Sequence, residues 1–227
     1  MVFVKSQKIL MGNEAIALGL MENGCGMATS YPGTPASEIL ASFIQMARTN
    51  GHPCRYQWSI NEKVAFETAL AHSYLGGRSA VSMKQVGLNV VMDPLMSSAY
   101  TGVRGGFVVI SADDPGPHSS QTEQDSRMAA MMAKIPVLDP SSPLEAREMV
   151  GIAFRLSEEY HIPVMIRPTT RICHARQAIP SEPFISDNDR SFSCSSILSF
   201  QRDPRRWAAT PRYRYILHRE LNEKLKK

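Results

Sequence analysis

Met27-Ala28-Thr29-Ser30-Tyr31-Pro32-Gly33-Thr34-Pro35 and, one helix and one strand later, Ser59-Ile60-Asn61-Glu62-Lys63-Val64-Ala65-Phe66-Glu67 decide the reading of this chain. The first stretch is an apolar strand that stops in a rigid turn. Two prolines fix φ and Gly33 permits a tight bend, so Thr34 is held with its hydroxyl forward. The second reads as a strand end, an N-cap at Asn61 and a helix whose first residue is the carboxylate Glu62. Each has a plainer reading beside the functional one. Thr34 can cap the helix after it, and Glu62 can simply complement a helix dipole. Both stretches place polar groups beyond the carboxyl end of a strand, where open α/β sheets keep their ligand sites.

Outward from these stretches, apolar strands alternate with helical patterns. Helices are expected over 12–23, 37–49, 62–75, 90–101 (with Pro94 in its first turn), 124–133 and 143–160. Strands are expected over 27–31, 55–60, 79–83, 107–112, 137–138 and 164–168. This alternation argues for an α/β fold, a mostly parallel sheet with helices on both faces. The α/β pattern fills residues 1–177. Residues 178–210, rich in Ser, Pro and Asp, read as an irregular linker. Residues 211–227 recover helical character, with Ile216, Leu217, Leu221 and Leu225 on one stripe.

The chain has 227 residues and is 43% hydrophobic, enough for one sizeable domain and an appendage. No apolar run nears the ~20 residues that cross a bilayer, and the amino terminus lacks the apolar core of a signal peptide. Cys25, Cys54, Cys173 and Cys194 are scattered, as structural thiols of a cytoplasmic protein would be. Charge is uneven. Residues 201–227 hold nine Lys/Arg against three Asp/Glu, leaving 16 against 18 in the rest. A basic tail without a stacking platform reads as a solvated helix or linker rather than a nucleic-acid interface.

Two more segments carry polar chemistry after a strand. Met83-Lys84-Gln85-Val86-Gly87-Leu88-Asn89 reads as a strand end and a glycine-containing loop in which Gly87 allows close approach. Lys84 there faces an anion or water with equal weight. Residues 112–127 follow a buried strand and read as a polar loop offering Ser119, Ser120, Gln121 and Asp125. His118 is the group in it that titrates near neutral pH. Asp113 and Asp114 before Pro115-Gly116 are turn formers rather than metal ligands, so no metal site is expected.

These four segments together resemble the pyrimidine-binding domain of thiamine-diphosphate-dependent 2-oxoacid:ferredoxin oxidoreductases, in the indolepyruvate branch at its alpha subunit. The family's similar segments read Tyr-Pro-x-Thr-Pro, Met-Lys-His-Val-Gly-Leu-Asn and Ala-Asp-Asp-Pro-Gly-x-His-Ser-Ser-Gln-x-Glu-Gln-Asp-Ser-Arg. Gln85 stands where the family has histidine, and it cannot titrate in that residue's place. The resemblance covers residues 8–177 and, more loosely, 200–227. It implies that Glu62 is catalytic, hydrogen-bonding N1' of the aminopyrimidine, with Ile60, Val64, Ala65 and Phe66 as its apolar setting. Thr34 and Lys84 would meet the substrate carboxylate, and Tyr31, Pro32, Gly33, Gly87 and Asn89 would border the cofactor.

The resemblance also implies what this sequence lacks. It contains no Gly-Asp pair for magnesium and diphosphate and no cysteine cluster for iron–sulfur centres. Those groups would come from other domains or partners: a diphosphate-binding domain or subunit, a beta subunit and ferredoxin. The assembly would take a 2-oxoacid, an aryl pyruvate such as indolepyruvate, and coenzyme A to an acyl-CoA. The chain would be an oligomer component that is inactive alone, with neither nucleic acid nor membrane as partner and the 211–227 helix leading to a further domain. Met92, Met96, Met128, Met131 and Met132 are candidates for an adaptable contact face. Two other readings stand beside this one: a split thiamine-diphosphate decarboxylase or transferase, and a non-catalytic assembly domain that keeps the fold.

Overall fold

Phe107–Ala112 is buried at every residue and forms the middle of the molecule. The computed structural model describes residues 7–180, 198–208 and 210–226. In chain order these form β1 (Gln7–Met11), α1 (Gly12–Glu22), β2 (Met27–Ser30), α2 (Ser37–Asn50), β3 (Arg55–Trp58) and α3 (Glu62–Tyr74). Next come β4 (Ser79–Lys84), α4 (Gln85–Val90), α5 (Met92–Thr101), β5 (Phe107–Ala112), α6 (Ser126–Ala133) and β6 (Val137–Leu138). The last are α7 (Pro143–Tyr160), β7 (Val164–Ile166), α8 (Thr170–His174), β8 (Arg176–Pro180), α9 (Pro204–Trp207) and α10 (Pro211–Lys224).

Six strands pair in parallel in the order β3-β2-β4-β5-β7-β6. The connection from β2 to β3 runs through α2. The next, through α3, returns across β2 to β4. Right-handed crossovers therefore put α2 and α3 on opposite faces. The helices sort accordingly, α1 packing with both α2 and α7, and α4 and α5 with α3. The strand order reverses between β2 and β4, which opens the crevice that α/β proteins use for ligands. Phe66 of α3 meets Phe107 of β5 edge-on, ring centroids 5.0 Å apart, in the buried core. Each such ring removed from water is worth ~1.5–3 kcal/mol. On the α1 side, buried Arg147 holds Glu22 through two bonds of 2.8 and 2.7 Å, and its third nitrogen reaches the Pro180 carbonyl at 2.9 Å.

Several elements depart from the sequence expectation. The stretch expected as one helix over 90–101, preceded by a loop, is two helices, α4 and α5, with a break at Val91. Pro94 does sit in the first turn of α5, where it sacrifices no intrahelical bond. Gln7–Met11 pairs antiparallel with Arg176–Pro180, so the second strand runs past the boundary expected at residue 177. A short helix, α9, lies in the stretch expected to be irregular, and residues 181–197, with Cys194, lie outside the described residues. The tail helix α10 packs on α5, but with a narrower stripe than expected. Leu217 and Leu221 are buried, whereas Ile216 and Leu225 face solvent. Met92 and Met96 pack against the core. Met128, Met131 and Met132 stay exposed on α6.

Candidate active site

The turn after β2 is pinned from three sides. Ser30 Oγ donates to the Ser82 carbonyl at 2.7 Å and ties the ends of β2 and β4 together. Asn13, fully buried on α1, donates through Nδ2 to the Pro35 carbonyl at 2.7 Å and to Glu38 Oε2 at 2.9 Å. The Gly33 N–H donates to Ser37 Oγ at 2.8 Å. Ala36, not Thr34, is the N-cap of α2, so the expected capping use of Thr34 fails and its hydroxyl is left for other work. The Thr34–Pro35 peptide is cis. A Cβ on Gly33 would lie 2.8 Å from Lys84 Cδ, so the glycine lets the lysine stem cross the turn. Lys84 Nζ donates to the Ser119 carbonyl at 3.3 Å, and Ser119 Oγ donates to the Thr34 carbonyl at 3.2 Å.

Glu62 occupies the first position of α3. Asn61 caps that helix by accepting the Val64 N–H at 2.8 Å. A Cβ on Gly87 would lie 2.6 Å from both Cγ and Oε1 of Glu62. Gly87 is thus the one α4 residue that lets the carboxyl side chain lie against that helix. Gly in a helix costs up to ~1 kcal/mol against Ala, which is why the sequence alone reads a loop here. The apolar setting expected for Glu62 is only partly present. Ala65 and Phe66 point into the core, but Ile60 is 83% exposed and Glu62 is half-buried. Tyr31, Pro32 and Asn89 are exposed. The Glu62 carboxyl has no hydrogen-bond partner among the described residues.

The 113–125 loop is organised by three polar hubs, two of which, Asp113 and Asp114, the sequence reading left as turn formers. Asp113 is buried and accepts from Arg167 Nε at 2.7 Å, the Ser126 N–H at 2.9 Å and the Ser126 hydroxyl. It joins the ends of β5 and β7 to the start of α6. Asp114 Oδ2 accepts the N–H groups of His118, Ser119 and Ser120 at 3.0, 2.8 and 3.0 Å, and Oδ1 accepts the Thr170 hydroxyl at 2.7 Å. Burial opposes the charge on Asp114. The donors, led by the Ser119 N–H and the Thr170 hydroxyl, outweigh it and hold the carboxyl well below its usual range. Gln85 is the third hub. It is fully buried; its Oε1 accepts the Asp114 N–H at 2.7 Å and its Nε2 donates to the Thr122 carbonyl. At the loop's end Arg127, through its side-chain bond first, draws Asp125 down to about 2.

A cavity of about 700 Å³ lies beside Thr34. Size alone does not single it out. A second cavity of about 700 Å³ sits at the opposite, amino end of the sheet, near Met27, Cys54 and His72. Position decides between them, because only the first lies at the carboxyl ends of the strands.

Against this geometry, residues 19–220 match the family described as pyruvate flavodoxin/ferredoxin oxidoreductase, thiamine diP-bdg. The chain belongs to that family. The indolepyruvate oxidoreductase subunit IorA of Methanothermobacter marburgensis is 45% identical over 218 residues, and that of Archaeoglobus fulgidus 42% identical over 225. Each alignment covers 96% of this chain and 34% of the relative, so the chain spans about a third of the length of the curated relatives it matches. The 2-oxoglutarate synthase subunit KorA of Methanothermobacter thermautotrophicus is 26% identical over 75% of this chain and 46% of its own length. A 2-oxoglutarate:ferredoxin oxidoreductase from Magnetococcus marinus has the same fold, with a TM-score of 0.74 at 18% identity, over 98% of this chain and 45% of that one.

Membership in the oxidoreductase family makes thiamine diphosphate the cofactor to test against these residues. They fit its pyrimidine half. The Gly87 cradle leaves the Glu62 carboxyl at a strand-end crevice with its hydrogen-bonding capacity unused. They do not fit the diphosphate half. Among the described residues no three His, Cys, Asp or Glu side chains gather to hold a metal, and the sequence has no Gly-Asp pair. Among the described residues no helix is long and apolar enough to cross a membrane. Burial first, then Glu38, pushes the Cys173 thiol up, as for a structural cysteine.

Proposed function

We propose that this chain is the pyrimidine-binding part of a thiamine-diphosphate-dependent 2-oxoacid:ferredoxin oxidoreductase acting on an aryl pyruvate such as indolepyruvate. The observation that carries it is the Glu62 carboxyl, unbonded, lying against Gly87 at the strand-end crevice. Glu62 holds a proton at N1' of the aminopyrimidine, Gly87 and Asn89 border the cofactor from α4, and Tyr31, Pro32 and Gly33 border it from the β2 turn. Thr34 and Lys84 orient the oxoacid through its carboxylate. Bound thiamine diphosphate supplies the carbon nucleophile and electron sink for decarboxylation. The rest of the assembly supplies what this sequence lacks: magnesium and the diphosphate site, iron–sulfur centres, a beta subunit, and access for coenzyme A and ferredoxin. This reading places the protein in the cytoplasm as part of an oligomer. Neither nucleic acid nor membrane is a partner. Domain boundaries near 177 and 210, with α10 leading toward a further domain, belong to the same reading.

Glu62→Gln keeps the side chain's shape and removes its transferable proton. In the enzyme assembled with a diphosphate-binding partner, deuterium exchange at the thiazolium C2 should slow by about 10²-fold or more, the range lost with a general acid–base group. The fold should change little, since a carboxylate at a helix start contributes only ~0.3–1 kcal/mol. Glu67→Gln is the control; Glu67 is exposed and lies 3.9 Å from Lys63. Equal exchange in Glu62→Gln and the parent would reduce Glu62 to a dipole-matching charge.

A further inference from the structure

The two edges of the six-stranded sheet are finished differently. One edge is β6, which has only the two residues Val137–Leu138. Such shortness blunts an edge, because it leaves few peptide groups to pair. The other edge is β3, Arg55–Trp58, and all four of its residues are exposed. The usual guards of an open edge are missing from it. Residues 55–59 contain no proline, no lysine and no acid, and their one charge, Arg55, stands at the start. Tyr56 and Trp58, on either side of Gln57, are 36% and 41% exposed.

β3 meets β2 through alternate residues. The Arg55 N–H donates to the Gly26 carbonyl at 2.8 Å and the Ser59 N–H to the Ser30 carbonyl at 2.9 Å. Odd-numbered residues therefore turn their peptide groups toward β2. Tyr56 and Trp58 turn theirs outward, and among the described residues those groups have no partner. Side chains alternate as well. Tyr56 and Trp58 share the α2 face of the strand. There Arg48 Nε donates to the Tyr56 hydroxyl at 3.0 Å, and the guanidinium lies 5.5 Å from the ring centre. Arg55 and Gln57 share the opposite face.

These two alternations select the strand that fits. In an antiparallel pair, residues that exchange both peptide hydrogen bonds lie opposite each other, with their side chains on one face. A second β3, related by a two-fold axis through Gln57, meets both conditions. Tyr56 of each copy lies opposite Trp58 of the other, and these are the residues whose peptide groups point outward. Two Tyr–Trp cross-strand pairs form together with the peptide bonds. Arg55 falls opposite Ser59, so no like charges face each other directly. Gln57 meets its own copy at a non-hydrogen-bonded position, with Cα atoms ~4.5 Å apart.

We infer that β3 is a self-association edge: two copies of this chain join their sheets through antiparallel β3 pairing centred on Gln57. The partner is a second copy because the register set by the peptide groups is the one that matches the aromatic side chains to each other. The Glu62 side chain takes no part in the pairing.

The test is the oligomeric state of the chain itself, followed by sedimentation equilibrium together with a disulfide that reads the register. The parent should show a reversible monomer–dimer equilibrium. Trp58→Lys should raise its dissociation constant by about tenfold or more, because one substitution removes both Tyr–Trp pairs of the dimer. Met131→Lys, on the other exposed apolar face, should match the parent. Gln57→Cys should form a disulfide-linked dimer under mild oxidation, since the two Cα atoms fall within the span that a disulfide bridges. Arg55→Cys, on the same face, should not, because its two copies would stand ~13 Å apart. The parent controls for the native cysteines. A chain that stays monomeric, or a dimer that Trp58→Lys leaves intact, overturns the inference. So does crosslinking of Arg55→Cys equal to that of Gln57→Cys, or a dimer lost in Met131→Lys. Should Trp58→Lys fail to fold, the two cysteine variants still decide the register.

Discussion

The two sides of the crevice are finished to different degrees. On the side of the 113–125 loop, Asp113, Asp114 and Gln85 spend their polar atoms inside the chain, and the loop's shape is fixed by those bonds. On the side of α3 and α4, Glu62 has no partner among the described residues and Ile60 stands open to water. A closed side is expected to answer mutation through the stability of the chain alone. An open side is expected to answer only when its covering partner is present.

The sharpest way to break the closed side is Arg167→Met. It leaves Asp113 buried and without its cation, a change that costs ~3–5 kcal/mol when a buried pair loses one member. Ser126 still donates twice to Asp113, which places the expected loss near the lower end. Urea denaturation of the chain measures it. A loss below about 1 kcal/mol would mean water already reaches this carboxylate.

Asp114→Asn should cost less, ~1–3 kcal/mol, because His118 and Ser119 are exposed and their N–H groups can turn to water. Its pH dependence is the sharper signature. The folded-state pKa of Asp114 is depressed, so its contribution is present above the unfolded value near ~3.9 and is lost as pH falls toward the folded value. The gap in stability between parent and Asp114→Asn should therefore be widest above about pH 5 and close below about pH 4. A gap that widens with acid would reverse the assignment.

What the sequence disclosed and what it hid follow the same line. Asn61 and Glu62 were legible because a cap and a first-turn carboxylate are local signals, and Phe107–Ala112 because a central parallel strand is apolar throughout. The α4 helix was hidden because Gly87 answers a tertiary demand, the approach of Glu62, against its own helix propensity. Asp113 and Arg167 are 54 residues apart, and nothing in a single sequence pairs them. Asn13, which holds the turn beside Thr34, carries no motif. Only its complete burial on α1 draws notice. The β1–β8 ribbon joins opposite ends of the domain, beyond the reach of any periodicity.

Gln85 sits on the seam between the two sides, since it staples the loop from the same short helix whose Gly87 faces Glu62. Its amide donates and accepts at once. Gln85→His could do both only while neutral, because a protonated imidazole has two donors and no acceptor for the Asp114 N–H. Asp114, whose N–H it holds, and Lys84, its chain neighbour, are charged groups beside it. Protection of the Asp114 amide in Gln85→His should match the parent near pH 8 and fall by about tenfold below the ordinary histidine value of ~6.5. The parent should show no such step. An unchanged step-free profile in Gln85→His would mean the staple does not hold the loop.

The smallest expected effect on the chain alone comes from the open side, and it is the one that most sharpens the comparison. Ile60 is 83% exposed, two residues before Glu62. Ile60→Ser removes apolar surface that the isolated chain does not bury, so its stability should change by no more than about 0.5 kcal/mol. If a diphosphate-binding partner covers this side, the same substitution removes an isoleucine from an interface, where full burial is worth ~1.5–3 kcal/mol. Association with that partner should then weaken by about tenfold or more, measured by titration calorimetry beside unfolding of the chain by itself. Asp114→Asn provides the contrast, costing the chain its stability wherever the partner is. If Ile60→Ser destabilises the isolated chain as Asp114→Asn does, Ile60 already packs within the domain and this side is closed too. If it weakens neither stability nor association, the partner docks elsewhere, and Glu62 must complete its hydrogen bonding without a cover at this position.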